Sequence, residues 1–371
     1  MADQEGRGGL CTPTRWRLIA SGVLLAACPL LVLLFERFGE ALSGGYRPFS
    51  KGLLSLQAIV ASVAPFALWD FLVVGFALAA LFTLVRRVVR RRPLLPWLSV
   101  VLLVSSATLF LFVSGWALNH YAPSLANEIG LEVGVYTDDE LTAATRHYLE
   151  RAAALAPSVP RGEDGELLRQ DFYELARIAG GSYRELSESY GIFEGSQAPV
   201  KALLLLGEPL LLSGHVGIFF SPTGESSVPV NCAVADLPFT MCHEAAHRLA
   251  IAREQEATFA AFLACTTSDD VRFSYSGYYS AFSFCYGALR RSDPDRAARL
   301  LDEVRTSGLD AGVGLVLADL VATGRHYDAY EGWFGRIGSA VNDGYLRSFG
   351  EREGVKSYGL VVDYLIAWDR R

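Results

Sequence analysis

The sequence lacks a basic excess. Its 371 residues hold 33 Lys and Arg against 40 Asp and Glu, a net charge of −7. That balance excludes nucleic-acid binding through a global positive field. Charge is scarce altogether, at 20% against 51% hydrophobic residues, which excludes a disordered chain. No internal repeat is visible, so solenoids and propellers are excluded as well, and no segment is of low complexity. Six cysteines are present but no pair has CxxC spacing, so the chain offers no cysteine-based zinc site. Residues 93–121 contain no Asp, Glu, Lys or Arg at all.

That charge-free stretch divides the chain. Residues 1–92 carry 11 basic and 5 acidic side chains, a net of +6, whereas residues 122–371 carry 22 and 35, a net of −13. A basic, apolar front and an acidic back imply a membrane anchor over 1–121 and a separate domain over 122–371. Three apolar runs occupy 18–35, 53–85 and 94–118. The second exceeds one span of ~20 residues and contains Pro65 and Asp70. It reads as an interfacial or re-entrant piece over 53–63 followed by a span. The predicted spans are about 16–35, 66–85 and 96–118, with the lipid bilayer as a partner. Asp70 is expected at a span end facing water, the alternative being an intramembrane functional site. Arg86, Arg87, Arg90, Arg91 and Arg92 crowd the loop between the second and third spans, and Arg7, Arg15 and Arg17 sit in the N-terminal tail. Positive-inside logic puts both in the cytoplasm and everything after Tyr121 outside it. The expectation is a multi-pass membrane protein with its N-terminus in the cytoplasm.

The domain reads as α+β and mostly helical. Thr137 to Glu140 form an N-cap signature for a helix ending near 156. A second helix is expected over about 166–192. Short apolar runs at 200–206, 210–212 and 215–220, broken by Gly207, Pro209 and Gly214, read as two or three strands. Helices then follow to about 251 and over 254–267, 272–291, 294–306, 309–323 and 355–368. Cys232, Cys242, Cys265 and Cys285 leave room for a disulfide in an oxidising exterior.

The chemistry concentrates in His243, Glu244 and His247. Histidines four apart on a helix share a face and can bind one zinc ion, Zn2+, while the adjacent glutamate can take a proton from a zinc-bound water. A third ligand is required, and Glu254 and Glu256 are the nearest carboxylates. On an unbroken helix position 254 would lie ~10 Å beyond 247 along the axis. The helix must therefore break between about 249 and 253, with 254–263 folded back as a new helix. Glu254 and Glu256 lie ~200° apart on it, so only one faces the metal. Glu254 is preferred because it shares a face with Ala257, Thr258 and Ala261, leaving Glu256 at the surface or supporting a ligand. Tyr275, Tyr278, Tyr279, His326 and Tyr358 are candidates to polarise a scissile carbonyl. Gly217 to Phe220 read as an edge strand that pairs with an extended peptide substrate, with Gly217 and Phe219 as contacts, or as an ordinary buried strand. Asn342 and Asp343 are candidates to orient a ligand histidine. His120, His147 and His215 read as non-ligands.

The motif followed by Glu254 and Ala257 at a helix start resembles the gluzincin group of zinc metallopeptidases, in which the first of those glutamates is the third ligand. The resemblance extends to an uncharacterised bacterial family of membrane proteins with three N-terminal spans and such a zincin-like domain. It is carried by Trp116, Leu118 and Asn119; by Gly217, Ile218, Pro222, Glu225 and Asn231; and by Val341, Asn342, Asp343, Tyr345, Leu346, Gly354, Val355, Ser357 and Tyr358. Ala250 departs from the family, which has glycine there. The resemblance implies a zinc peptidase anchored in a bacterial cell membrane and acting on peptide or protein substrates near it. The alternative is a non-enzymatic sensor or assembly protein that keeps a zinc site.

Overall fold

A computed structural model describes residues 12–349 and 360–371 of the chain. Length and apolarity make the three N-terminal runs helices: α1 (Thr12–Ala61), α2 (Leu68–Val89) and α3 (Leu95–Gly115), the last continued by a 3-10 turn at Ala117–Tyr121. All three are long and apolar enough to cross a membrane, and most of each apolar stretch is unburied. The stretch Pro294–Asp328 meets the same criterion. It is two helices turned at Gly308, and both pack against the domain.

The segment after the first span departs from the sequence reading. The residues expected as a loop and a re-entrant piece are helical to Ala61, broken only at Phe38, where φ is −130° and ψ 16°. Local propensity argues against this, with Gly44, Gly45 and Pro48 inside the helix. Packing overrides it. Ser43, Ser50, Leu54, Ala58 and Ala61 are buried on one face, and Ser50 Oγ donates to Gly115 O at 2.7 Å. Gly224, at φ +67°, is required where the domain meets this helix, since a Cβ there would lie 2.9 Å from Ala58 N.

Asp70 does not face water. It is fully buried in the first turn of α2, and its carboxylate accepts from the backbone N–H groups of Leu204, Leu205 and Leu206 at 2.9, 2.7 and 3.0 Å. The exchange is reciprocal. Glu225 of the domain accepts from the N–H groups of Leu68 and Trp69 at 2.8 and 3.1 Å, capping α2. Trp69 Nε1 donates to Ser227 Oγ at 3.1 Å, and its ring stacks on Phe220. Lys201 Nζ donates to the carbonyls of Ala61 and Ala64, and Phe66 bridges Ala202 in parallel. α2 and the domain share one hydrogen-bonded joint.

The domain's sheet has three strands, β1 (Lys201–Leu203), β2 (Ile218–Phe220) and β3 (Glu225–Pro229), in the order β1-β3-β2. β3 pairs parallel with β1 and antiparallel with β2, leaving β2 at an edge. The run at 210–212 is helical, within α8 (Gly207–Leu212), because Asp70 anchors the turn that precedes it. β3 lacked a sequence signal because buried Ser226 and Ser227 are satisfied by partners outside the sheet rather than alternating with apolar residues.

The rest is helical. In chain order it comprises α4 (Leu125–Glu128), α5 (Asp138–Leu155), α6 (Phe172–Gly181), α7 (Arg184–Ser189), α9 (Leu237–Arg248), α10 (Glu254–Thr266) and α11 (Val271–Ser292). Then follow α12 (Pro294–Val304), α13 (Asp310–Asp328), α14 (Trp333–Ser348) and α15 (Val361–Asp369). Thr137 and Glu140 form a capping box at the start of α5. The helix expected over 166–192 is instead α6 and α7: Asp171 caps at 171, and Gly180 approaches the backbone of Ala198. α14 had no sequence-level forecast. α9 lies between β3 and α10, with α11 against both helices, so the HExxH segment is at the centre of the domain. Cys28, Cys232, Cys242, Cys265 and Cys285 are buried free thiols, so the four domain cysteines form no disulfide among themselves.

Replacing Asp70 by alanine orphans three N–H groups at the joint, at a cost of about 1–3 kcal/mol for each one kept from water. The D70A chain is expected to unfold at lower temperature in detergent than the parent. An unchanged melting temperature would show that the joint contributes nothing.

Candidate metal centre

α9 carries His243 and His247 on one face and stops at Arg248. The stop is closed by N–H bonds from Leu249 and Ile251 to Ala246 O, and from Ala250 to His247 O. Ala250 takes the left-handed conformation, φ +62°, which glycine adopts more easily. Two outside groups fix the reversal. Trp116 Nε1, at the end of α3, donates to His247 O at 2.9 Å. Arg253 Nη2 donates to the carbonyls of His120 and Ala122, both at 2.9 Å. α10 then begins at Glu254 and packs back against α9.

The reversal brings three donors together. His243 Nε2 lies 3.2 Å from Glu254 Oε2 and 3.2 Å from His247 Nε2, and His247 Nε2 lies 3.6 Å from Glu254 Oε2. Ligands at 2.0–2.1 Å around a tetrahedral zinc are separated by about 3.3 Å, so the three atoms span a face of that size. It is the one such His/Cys/Asp/Glu group among the described residues. The rings meet at 88° with both Nε2 atoms converging. Their Nδ1 atoms are engaged elsewhere. His247 Nδ1 is 2.8 Å from Ile251 O, and His243 Nδ1 is 3.3 Å from Thr258 Oγ1, whose proton goes to Glu254 O at 2.7 Å. These acceptors hold the Nδ1–H tautomer and leave each Nε2 lone pair facing the cluster.

Electrostatics reflect the crowding. Burial disfavours a charged Glu254, yet His247 and His243 beside it hold its pKa well below the carboxylate range. Burial likewise opposes a charged His247, but Glu254, with Glu244 and the Ile251 carbonyl, holds it up to about 9. Burial lowers His243. A cation binding here takes the place of the proton between His247 and Glu254.

Glu244 points beside the cluster without joining it. It is buried, and its Oε2 has no hydrogen-bond partner among the described residues. Burial pushes its pKa up to about 8. Its backbone carbonyl accepts from Ser226 Oγ at 2.6 Å, tying α9 to β3. Gly217, just before β2, leaves room for the Glu244 carboxylate: a Cβ there would lie 2.8 Å from its carboxyl carbon and displace it. Phe219 packs on Trp116, whose ring meets His247 edge-on.

The remaining candidates lie elsewhere. Glu256 accepts from Arg253 at 2.9 Å and from the Tyr364 hydroxyl at 3.4 Å, turned away from the histidines. Tyr275 donates to Asp319, which also pairs with Arg161 at 2.7 Å. Tyr278 packs on Phe262 under Arg151. Tyr279 bonds Thr323, and His326 lies against Tyr327 and Tyr330. These groups are committed to the helical core. Asn342 and Asp343 sit on α14, where Asp343 pairs with Arg347 at 2.6 Å. Tyr358 lies outside the described residues. His147 pairs with Asp369, His215 with Ser213, and His120 with Tyr345. Sequence reasoning missed the roles of Trp116, Ile251 and Ser226. The first lay in a noted motif, but the other two act through a carbonyl and a hydroxyl that carry no sequence signature. Arg248, the last residue of α9, is buried and donates to Ala198 O at 2.6 Å.

Glu254→Gln is expected to lose stoichiometric zinc binding, while Glu256→Gln keeps it, as read by metal analysis of the purified chains. Equal zinc contents in the two variants would remove Glu254 from the ligand set.

The family model described as "Protein of unknown function (DUF3810)" matches residues 46–366, from the second half of α1 into α15. No curated protein and no solved structure matches the chain. The joint between spans and domain falls within the matched region, and over those residues the chain belongs to the DUF3810 family.

Proposed function

We propose that this protein is a membrane-anchored zinc metallopeptidase. The observation that carries the reading is the unpartnered Glu244 carboxylate oxygen beside the His243–His247–Glu254 cluster. A buried carboxylate oxygen left without a donor is costly, and a site that only holds metal has no use for it. A hydrolase does, as the acceptor of a water proton.

His243, His247 and Glu254 would hold zinc, which when bound acidifies a water and polarises a carbonyl. Glu244 takes the proton at its free oxygen and delivers it to the leaving amine. Gly217 keeps the backbone of the β2 segment against Glu244. The outer edge of β2 pairs with no other strand of the sheet, so an extended peptide added there would run beside the proton acceptor. Trp116 and Thr258 position the ligands through His247 O and His243 Nδ1. The Arg-rich segment between α2 and α3 favours a cytoplasmic loop, which puts the domain outside the cytoplasm, as positive-inside logic expects.

In the full chain purified in detergent and loaded with zinc, Glu244→Gln is expected to keep its zinc and lose hydrolysis of a peptide library by about 10²–10⁴-fold. Undiminished hydrolysis by that variant, at equal zinc content, would make the peptidase reading wrong.

A further inference from the structure

α14 divides into three faces. At about 100° per residue, Gly338, Tyr345, Leu346 and Phe349 fall on one side, and this side packs on the protein. Gly338 abuts the Ser213 backbone, Tyr345 and Phe349 pack on Phe112 of α3, and Phe349 stacks on His120. Arg336, Asp343 and Arg347 form a narrow charged stripe. The third face carries Trp333, Phe334, Ile337 and Val341, which are 63%, 49%, 51% and 67% exposed. Four large apolar residues in one exposed stripe on a single helix call for a partner.

The supports of α14 indicate which. Its C-terminal end rests on Phe112, one turn before the end of α3. Its N-terminal half rests on the carbonyls of Leu212 and Ser213, at the end of α8. α8 follows the 204–206 turn that Asp70 holds against the first turn of α2. Both supports therefore stand at the level where apolar helices leave the bilayer. A helix of 16 residues, about 24 Å long, held between two such points runs along the membrane surface. Leu204, Leu205 and Leu212, beside these supports, are exposed, and Phe49, Leu56 and Val60 are exposed together on one side of the second half of α1, away from its buried face.

We propose that α14 is an in-plane membrane helix whose Trp333–Ile337–Val341 face is seated in the lipid interface, with Arg336 and Arg347 at headgroup level. A terminal tryptophan, an apolar stripe and arginines at its border are the residues such helices use. The occupant is a lipid bilayer, because α14 stands on Phe112 near the end of α3, an apolar helix long enough to span one and mostly unburied. The consequence is that the metal cluster, one ring from Trp116 and two from Phe112, lies immediately above lipid.

The test uses the full chain reconstituted in phosphatidylcholine–phosphatidylglycerol nanodiscs. Ile337→Cys and, separately, Arg336→Cys carry an environment-sensitive fluorophore, with the parent chain as the labelling blank. The label at 337 should emit to the blue and lose most of its intensity to lipids spin-labelled near the headgroup. The label at 336 should respond far less to those lipids and more to aqueous iodide. Quenching at 337 by iodide and not by spin-labelled lipid would overturn the proposal. So would a dry 337 label, insensitive to both quenchers, in particles holding two copies of the chain, which would make the face a contact between protomers. The readout does not involve hydrolysis, so it stands or falls apart from the peptidase reading.

Discussion

The structure depends on one reversal of the chain, from Arg248 to Glu254. A helix places His243 and His247 on a common face, but continuing it would carry Glu254 away from them. The reversal at Ala250 returns Glu254 to within 3.2 Å of His243 Nε2. Its conformation, with φ +62° on a residue other than glycine, is intrinsically unfavourable and must be imposed by its surroundings. Trp116 on one side and Arg253 on the other impose it, and both act on or from the end of the third apolar helix. The cluster is thus assembled jointly by the domain and the N-terminal apolar helices.

The N-terminal apolar helices are correspondingly part of the fold. Asp70 and Glu225 each cap backbone belonging to the other unit. Such buried charge-assisted bonds are directional and costly to break. Lys201 and Trp69 add further ties across the same joint. A domain held this way does not swing on a linker. The position of the His243–His247–Glu254 cluster relative to the apolar helices is set by the fold.

Much of this was legible in the sequence, for stated physical reasons. Hydrophobic length exposed the three apolar helices, and spacing exposed the histidine pair. Reach along a helix axis required a break before Glu254, and small residues favoured Glu254 over Glu256. What was not legible depended on partners distant in the chain. β3 reads as polar because its serines are satisfied by Trp69 and by Glu244 O. Asp70 looked like a water-facing residue because nothing near it in sequence shows that Leu204, Leu205 and Leu206 will donate to it. The continuation of α1 contradicts its own glycines and proline, since the face it buries is defined by α3 and the domain. The tyrosines of α11 were plausible as carbonyl contacts by composition alone. Folding commits Tyr275 to Asp319 instead.

The central claim is that two imidazoles and one carboxylate hold a zinc ion between α9 and α10. X-ray absorption at the zinc edge, on the purified full chain, tests it most directly. The account predicts one zinc per chain in a shell of nitrogen and oxygen only, at about 2.0–2.2 Å, with imidazole scattering from two histidines. A sulfur ligand at about 2.3 Å, or a chain that retains no zinc, would contradict it.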